Sequence, residues 1–147
     1  MFIQYENVIV NLDNVTSVMM EDSKVIFNFN YGVSLDYGSR IISDYCYFYV
    51  DKKSFIRTSV LDYVKNWINF KKSDNPNRYA NPEYISFIKY EKREKYNVTK
   101  YRIICNLSTS VSLNSADKFS SDAIYFDFDK EKDFEDAKKV LENRIGV

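Results

Sequence analysis

An acidic run at residues 127–136 has the residue types that bind divalent cations, namely closely spaced Asp and Glu side chains. A calcium-binding loop requires a glycine at its sixth position and a glutamate at its twelfth. Counted from Asp127, these two positions are occupied by Lys132 and Lys138. The run therefore departs from the calcium template, and we predict that the protein holds no metal ion and no cofactor.

The same acids are suited to attracting a basic partner. Residues 122–136 carry seven acids and two lysines, whereas residues 89–102 carry six cations and two acids, although the whole chain has a formal net charge of zero. A negative patch steers a positively charged surface towards it and pairs with its Lys and Arg side chains. The acids that we predict to form this patch are Asp127, Glu131, Asp133 and Glu135.

A row of tyrosines forms a second candidate binding surface. A β-strand at residues 45–50 would alternate its side chains between two faces. One face would carry Tyr45, Tyr47 and Tyr49, and the other Cys46, Phe48 and Val50. The second set is apolar, so we predict that it faces the core and that the tyrosines face outwards. Three roles of the tyrosine face remain open: packing two parts of the protein together, binding a partner protein, and stacking nucleotides.

The basic segment at residues 89–102 interleaves its cations with Tyr90, Tyr96 and Tyr101. Grooves that bind single-stranded nucleic acid combine cations and aromatic rings in this way. The run Glu-Lys-Arg-Glu-Lys at residues 91–95 also has the character of a solvated hairpin turn whose charges cancel locally, and we favour this interpretation. Direct binding of single-stranded nucleic acid is the alternative function.

The composition excludes most of the side-chain chemistry on which enzymes rely. The chain contains no histidine, which excludes imidazole-based acid–base catalysis and His-ligated metals. Cys46 and Cys105 lie in apolar, strand-like runs and form no CxxC motif, so we predict reduced core cysteines. The chain has three glycines and none of the common phosphate-binding or nucleophile motifs. We therefore predict that the protein is not an enzyme.

The elements that position these residues repeat along the chain. An ungapped shift of the chain along itself aligns residues 24–52 with residues 102–130 and gives eleven identities in 29 positions. We call this shift the repeat offset. The identities include the tripeptide Val-Ser-Leu at residues 33–35 and 111–113. Because a repeat of this kind reflects a repeated structural unit, we predict a tandem duplication.

Each copy is predicted to form an antiparallel β-meander followed by one amphipathic helix. Apolar residues recur at helical spacing in residues 56–68 and again in residues 134–145. Asp51 and Asp129 precede the two helices, and we expect them to cap the helix N-termini. The prediction is an α+β protein of mostly antiparallel sheet, with the two units packed into one globule.

The boundary between the units has its own signal. Both prolines of the chain lie in residues 71–82, and each follows an asparagine, a combination that favours turns. We therefore place the first unit at residues 1–70, a linker at 71–82 and the second unit at 83–147. The pattern leaves open whether the units share one continuous sheet or pack as two sheets.

In general character the chain resembles the small proteins with which phages block host defences, including anti-CRISPR inhibitors. The resemblance rests on chain size, missing catalytic residues, charge segregation and a composition rich in Asn, Lys, Ile and Tyr, which is typical of AT-rich genomes. It implies a non-enzymatic protein that occludes a functional surface of a host protein, in particular a basic nucleic-acid-binding surface. We find neither a leader peptide nor a membrane-spanning stretch in the sequence, so we predict a cytoplasmic protein without membrane contact.

Overall fold

The computed structural model describes residues 1–35, 41–113 and 119–147. The first part of the chain forms β1 (Phe2–Tyr5), β2 (Val8–Asn11), β3 (Val15–Met20), β4 (Lys24–Leu35), β5 (Ile41–Tyr49) and α1 (Phe55–Val64). The second part forms β6 (Arg78–Ala80), β7 (Ile85–Lys95), β8 (Val98–Leu113), β9 (Phe119–Phe128) and α2 (Glu131–Ile145).

All described strand pairs are antiparallel. β1 and β2 form a two-stranded sheet, a four-stranded sheet has the order β5-β4-β3-β6, and a three-stranded sheet has the order β7-β8-β9. The predicted α+β class with antiparallel sheets and two helices is therefore confirmed. Neither helix within the described ranges is long and apolar enough to cross a membrane.

Two long hairpins, β4–β5 and β8–β9, pair their strands in the same register. Lys24 pairs with Tyr49, and the residues that the repeat offset places over them, Arg102 and Asp127, pair with each other. Every described pair of the first hairpin has a counterpart in the second at this offset, and each ladder has its register shift at the corresponding place. Corresponding residues of the two hairpins therefore point to corresponding faces.

Each hairpin buries the apolar residues of its inner face against one helix. The core that includes α1 contains the buried side chains Phe27, Phe48 and Val60. The core that includes α2 contains the buried side chains Phe126, Phe128 and Leu141. The candidate binding residues Tyr47, Tyr49 and Asp127 lie on the opposite, outer faces of the two hairpins.

The chain between α1 and β6 connects the two cores. Ile68 is buried in the core that includes α2, and the ring centroid of Phe70 lies 4.9 Å from that of Phe126. The chain then returns as β6, which pairs with β3 in the four-stranded sheet. Part of the segment that was predicted as a linker is thus a strand, and the residues just before that segment pack in the core that includes α2.

The expected capping by Asp51 and Asp129 is wrong. The N-cap of α1 is Ser54, whose hydroxyl accepts a hydrogen bond from the Ile56 amide, while Asp51 accepts one from the Lys53 amide in the preceding turn. The N-cap of α2 is Lys130, which makes no side-chain capping bond. The helices begin further along the chain than the prediction assumed, and both aspartates are bonded outside the helix.

The hairpin turn in the basic segment also lies later than predicted. Residues 91–95 belong to β7, and the turn consists of Tyr96 and Asn97, with φ angles of 53° and 62°. Two-residue hairpin loops favour positive φ at both central positions because this backbone twist matches the twist of the flanking strands. The charged residues 91–95 therefore lie along a strand and not in the turn.

Candidate binding surfaces on the outer sheet faces

The tyrosine surface consists of Tyr47 and Tyr49 on β5 and Lys24 on β4. The two tyrosines are 39% and 66% exposed, whereas Phe48 and Val50 on the opposite face are 2% and 4% exposed. The predicted inward and outward faces of this strand are therefore confirmed at these positions. The side chain of Tyr45, the third predicted tyrosine, lies outside the described residues.

The two rings of the tyrosine surface contact each other. Their centroids are 4.9 Å apart at an interplanar angle of 79°, an edge-to-face geometry that aromatic rings favour. The Lys24 ammonium lies 5.5 Å from the centroid of the Tyr47 ring. A hydrogen bond with Tyr49 raises the pKa of Tyr47. The contact fixes the rings relative to each other and leaves their outer sides accessible.

The structure separates the four predicted acids. The carboxylate of Asp127, on β9, accepts two hydrogen bonds from the Arg102 guanidinium, at 2.6 and 3.1 Å. Asp133, on α2, lies 4.0 Å from the Lys72 ammonium and is largely covered. Glu131 and Glu135, also on α2, are exposed to solvent. Of the four acids, only Glu131 and Glu135 are exposed, because Asp127 pairs with Arg102 and Asp133 is largely covered.

The outer face of the second hairpin carries a different group in the place of the tyrosine surface. Tyr125 occupies the position that corresponds to Tyr47, and the Arg102 guanidinium lies 4.6 Å from the centroid of its ring. A hydrogen bond with Asp127 raises the pKa of Arg102. Arg102 thus bridges an aromatic ring and a carboxylate, which fixes all three side chains on the sheet face.

A shallow depression of about 290 Å³ lies beside this group. Its lining includes Phe87, Lys89, Glu91, Arg93, Arg102 and Tyr125. Glu91 pairs with Lys89 and with Arg93, each at 3.2 Å. The hydrogen bond from Lys89 is the main reason that the pKa of Glu91 is lowered. The depression combines cations and aromatic rings, but an acid compensates its cations locally.

The cations of the basic segment are engaged by partners within the protein. Five of the six lie in ion pairs with acids: Lys89, Lys92, Arg93, Lys100 and Arg102. The ammonium of the sixth, Lys95, lies 5.2 Å from the centroid of the Tyr96 ring. Lys100 bridges Asp74, at 2.7 Å, and Asp129. Hydrogen bonds to these two carboxylates raise the pKa of Lys100, Asp129 contributing most.

Both cysteine thiols are held in the protonated form. Burial raises the pKa of Cys46 to about 11 and that of Cys105 to about 12. A thiol needs to ionise before it acts as a nucleophile or a metal ligand, so burial disfavours both roles for these two thiols. Within residues 1–35, 41–113 and 119–147, no three acidic or cysteine side chains converge as metal ligands.

Comparison of the chain with protein-family models, curated proteins and solved structures gives no match. A proposal for the function therefore rests on the residues of this chain alone.

Sequence reasoning missed the group formed by Arg102, Tyr125 and Asp127. The repeat contained a signal for it, because the repeat offset places Arg102 over Lys24, Tyr125 over Tyr47 and Asp127 over Tyr49. The register of the two hairpins brings each of these sets together on adjacent strands. Comparison of the outer faces of the two aligned sequence segments would have predicted the pairing of Arg102 with Asp127.

Proposed function

We propose that the protein is a non-enzymatic binding protein that occludes a functional surface of another protein, in the manner of the phage-encoded inhibitors of host defences that its sequence resembles. The observation that carries this proposal is the tyrosine surface. Two exposed rings in mutual contact project from one face of the sheet, next to a lysine. Because the rings already restrict each other, burying them in an interface would lose little side-chain entropy.

We also infer that the two hairpin–helix units arose by tandem duplication. The support for this inference is the repeat offset, which is the same in the sequence identities and in the strand register. In the second copy Asp127 stands where the first has Tyr49, and it pairs with Arg102. The exposed pair of rings is thus particular to the first copy, which supports placing the partner contact there.

The exposed acids of α2 contribute electrostatic steering in this proposal. Glu131 and Glu135 lie in the first turns of the helix and extend into solvent. Carboxylates at such positions attract a partner whose surface is rich in Lys and Arg, for example one that otherwise binds nucleic-acid phosphates. A cytoplasmic host protein with a basic nucleic-acid-binding surface is therefore the partner that we propose.

Affinity capture tests the proposed function. The tagged 147-residue chain is used as bait in lysates of a bacterium with an AT-rich genome, with and without nuclease treatment. We expect a discrete protein partner that is retained after nuclease treatment. Recovery of nucleic acid alone, or loss of every bound protein on nuclease treatment, would contradict a direct protein partner.

Charge reversal on α2 is expected to weaken this binding. The variant combines Glu131→Lys, Asp133→Lys and Glu135→Lys, and we expect about tenfold lower affinity at low salt, together with a weaker dependence on salt. Titration of the captured partner at two salt concentrations measures both effects. Asp62→Lys, at an exposed acid of α1, is the control and should retain wild-type affinity. Unchanged affinity of the triple variant would remove the electrostatic part of the proposal.

The second candidate function is direct binding of single-stranded nucleic acid. The depression lined by Phe87, Arg93, Arg102 and Tyr125 favours it, because this face combines rings and cations. The ion pairs of the basic segment count against it, since phosphates would have to displace acids that are already in place. This function requires a mobility shift with single-stranded oligonucleotides at low salt that disappears as salt is added.

A further inference from the structure

β7 presents an open edge of the three-stranded sheet. No strand in the described ranges pairs with the side of β7 that faces away from β8. The opposite edge of the sheet, formed by β9, is covered, because the Asp127 backbone is bonded to Asp74 and Asn75 and because Arg78 donates to the Tyr125 carbonyl. An open strand edge is a template on which a further strand can pair.

The turn at Tyr96–Asn97 determines which backbone groups of β7 point outwards. In a two-residue hairpin the flanking residues, here Lys95 and Val98, form a hydrogen-bonded pair, and such pairs then alternate along the ladder. The intervening residues direct their backbone groups away from β8. The outward-directed amides and carbonyls are those of Ile88, Tyr90, Lys92 and Glu94.

We infer that β7 pairs antiparallel with β7 of a second copy of this chain, around a two-fold axis at Tyr90. In this register Lys89 faces Glu91 of the second copy, and Phe87 faces Arg93, and each pair occurs twice. These side chains line one depression and therefore project from the same sheet face. Opposite charges across a ladder, and a guanidinium against an aromatic ring, both stabilise strand pairing.

The charged side chains of β7 favour the register with the axis at Tyr90 over the register with the axis at Glu91. A two-fold axis at Glu91 would place Glu91 opposite itself and Lys89 opposite Arg93. Like charges directly opposite each other destabilise a ladder. The axis at Tyr90 replaces these repulsions with attractions, so the sequence of β7 is complementary to itself in that register.

An apolar groove lies along the same edge. It has a volume of about 420 Å³, lies between β7 and the end of α2, and is lined in part by Ile85, Ile88, Ile145 and Val147. Ile145 and Val147 are 48% and 87% exposed. A two-fold axis perpendicular to the sheet keeps both α2 helices on one side. In this register Ile88 faces Lys92 of the second copy, whose aliphatic stem would cover the end of the groove nearest the axis.

Exchange of the facing charges tests this dimer. Sedimentation equilibrium of the full chain should show a monomer–dimer equilibrium, and Lys89→Glu and Glu91→Lys should each weaken the dimer at least about tenfold by placing like charges opposite each other. An equimolar mixture of the two variants restores opposite charges at every contact and should form a heterodimer of near wild-type affinity. A mixture no better than either variant alone would overturn the proposed register.

A second pair of variants tests the backbone contact. Lys92→Pro removes an amide that points away from β8, so the internal ladder is retained while pairing with another copy is blocked. Lys92→Ala keeps the amide and is the control. We expect loss of the dimer in the first variant alone, with unchanged circular dichroism in both. A wild-type chain that is monomeric up to about 100 µM would overturn the proposal. A dimer that survives Lys92→Pro would also overturn it, because the contact would then lie elsewhere, for example at the tyrosine surface.

Discussion

Phe126→Ala is expected to lower the free energy of unfolding by about 3–5 kcal/mol, the range found when a buried phenylalanine is truncated. Phe126 is fully buried on β9, and its strand partner Ile103 is also fully buried. Its ring lies edge-on to that of Phe70, which lies in the segment between α1 and β6. The substitution therefore leaves a cavity at the point where this segment meets the second core.

Urea unfolding followed by circular dichroism measures this change. The matched control is Phe55→Ala, which removes the same atoms from an 80% exposed ring on α1 and should change stability by no more than about 0.5 kcal/mol. In a double-mutant cycle with Phe70→Ala, we expect a coupling energy of about 0.5–1.5 kcal/mol. A loss below about 1 kcal/mol for Phe126→Ala would show that this ring is not a core residue.

Arg57→Met is expected to cost about 2–4 kcal/mol, because it removes three charge-assisted hydrogen bonds from a site with little access to water. Arg57 lies on α1 and is 8% exposed. Its guanidinium donates to the backbone carbonyls of Asp51 at 2.7 Å, Asp22 at 3.0 Å and Val50 at 2.8 Å. It thus joins the helix to the end of β5 and to the turn between β3 and β4.

Arg57→Lys separates the charge from the geometry of this site. A lysine keeps the positive charge but lacks the planar fork that reaches three acceptors, so we expect it to recover less than half of the lost stability. Lys53→Met removes a charge from the exposed turn before the helix and is the control, with an expected change within about 0.5 kcal/mol. Equal stability of Arg57→Met and Lys53→Met in urea unfolding would contradict the role assigned to Arg57.

Local sequence patterns predicted the two faces of β5 but not all of the strands. β6 lies in the segment predicted as a linker, and the charged end of β7 lies where a turn was predicted. The alternation in residues 45–50 predicted a buried Phe48 and exposed tyrosines, because the period of a strand directly determines which side chains share a face. The repeat offset likewise predicted that the two hairpins would resemble each other. In the first case the information lies in the short run of residues 45–50, and in the second it lies in the alignment of the chain with itself.

Contacts between distant segments could not be predicted in this way. Helical spacing extended to Ile68, yet α1 ends at Val64, because Ile68 pairs with Ala80 and is buried in the second core. The bonding of Asp129 to Lys100 similarly depends on how β8 lies beside the start of α2. These outcomes reflect tertiary packing, which overrides local propensity and leaves no periodic signal in the sequence.

The candidate binding residues also divide into those that local patterns predicted and those whose contacts depend on distant segments. The sequence identified Tyr47 and Tyr49 through their alternation, and their exposure follows from it. It also grouped Asp127 with the acids of α2, although Asp127 lies on a strand and pairs with Arg102 across the ladder. Charge counted along the chain does not distinguish an acid that is presented to solvent from one that is engaged by a neighbouring strand.

The central claim is that the tyrosine surface binds a partner protein. The most direct test is to measure the affinity for the partner protein that remains bound after nuclease treatment. The double variant Tyr47→Ser/Tyr49→Ser is compared with the wild type and with Tyr96→Ser, which removes an 87% exposed tyrosine from the turn between β7 and β8. We predict at least about 30-fold weaker binding for the double variant and a change within about twofold for the control. Equal binding of all three proteins would contradict the account, because the exposed rings would then contribute nothing to recognition.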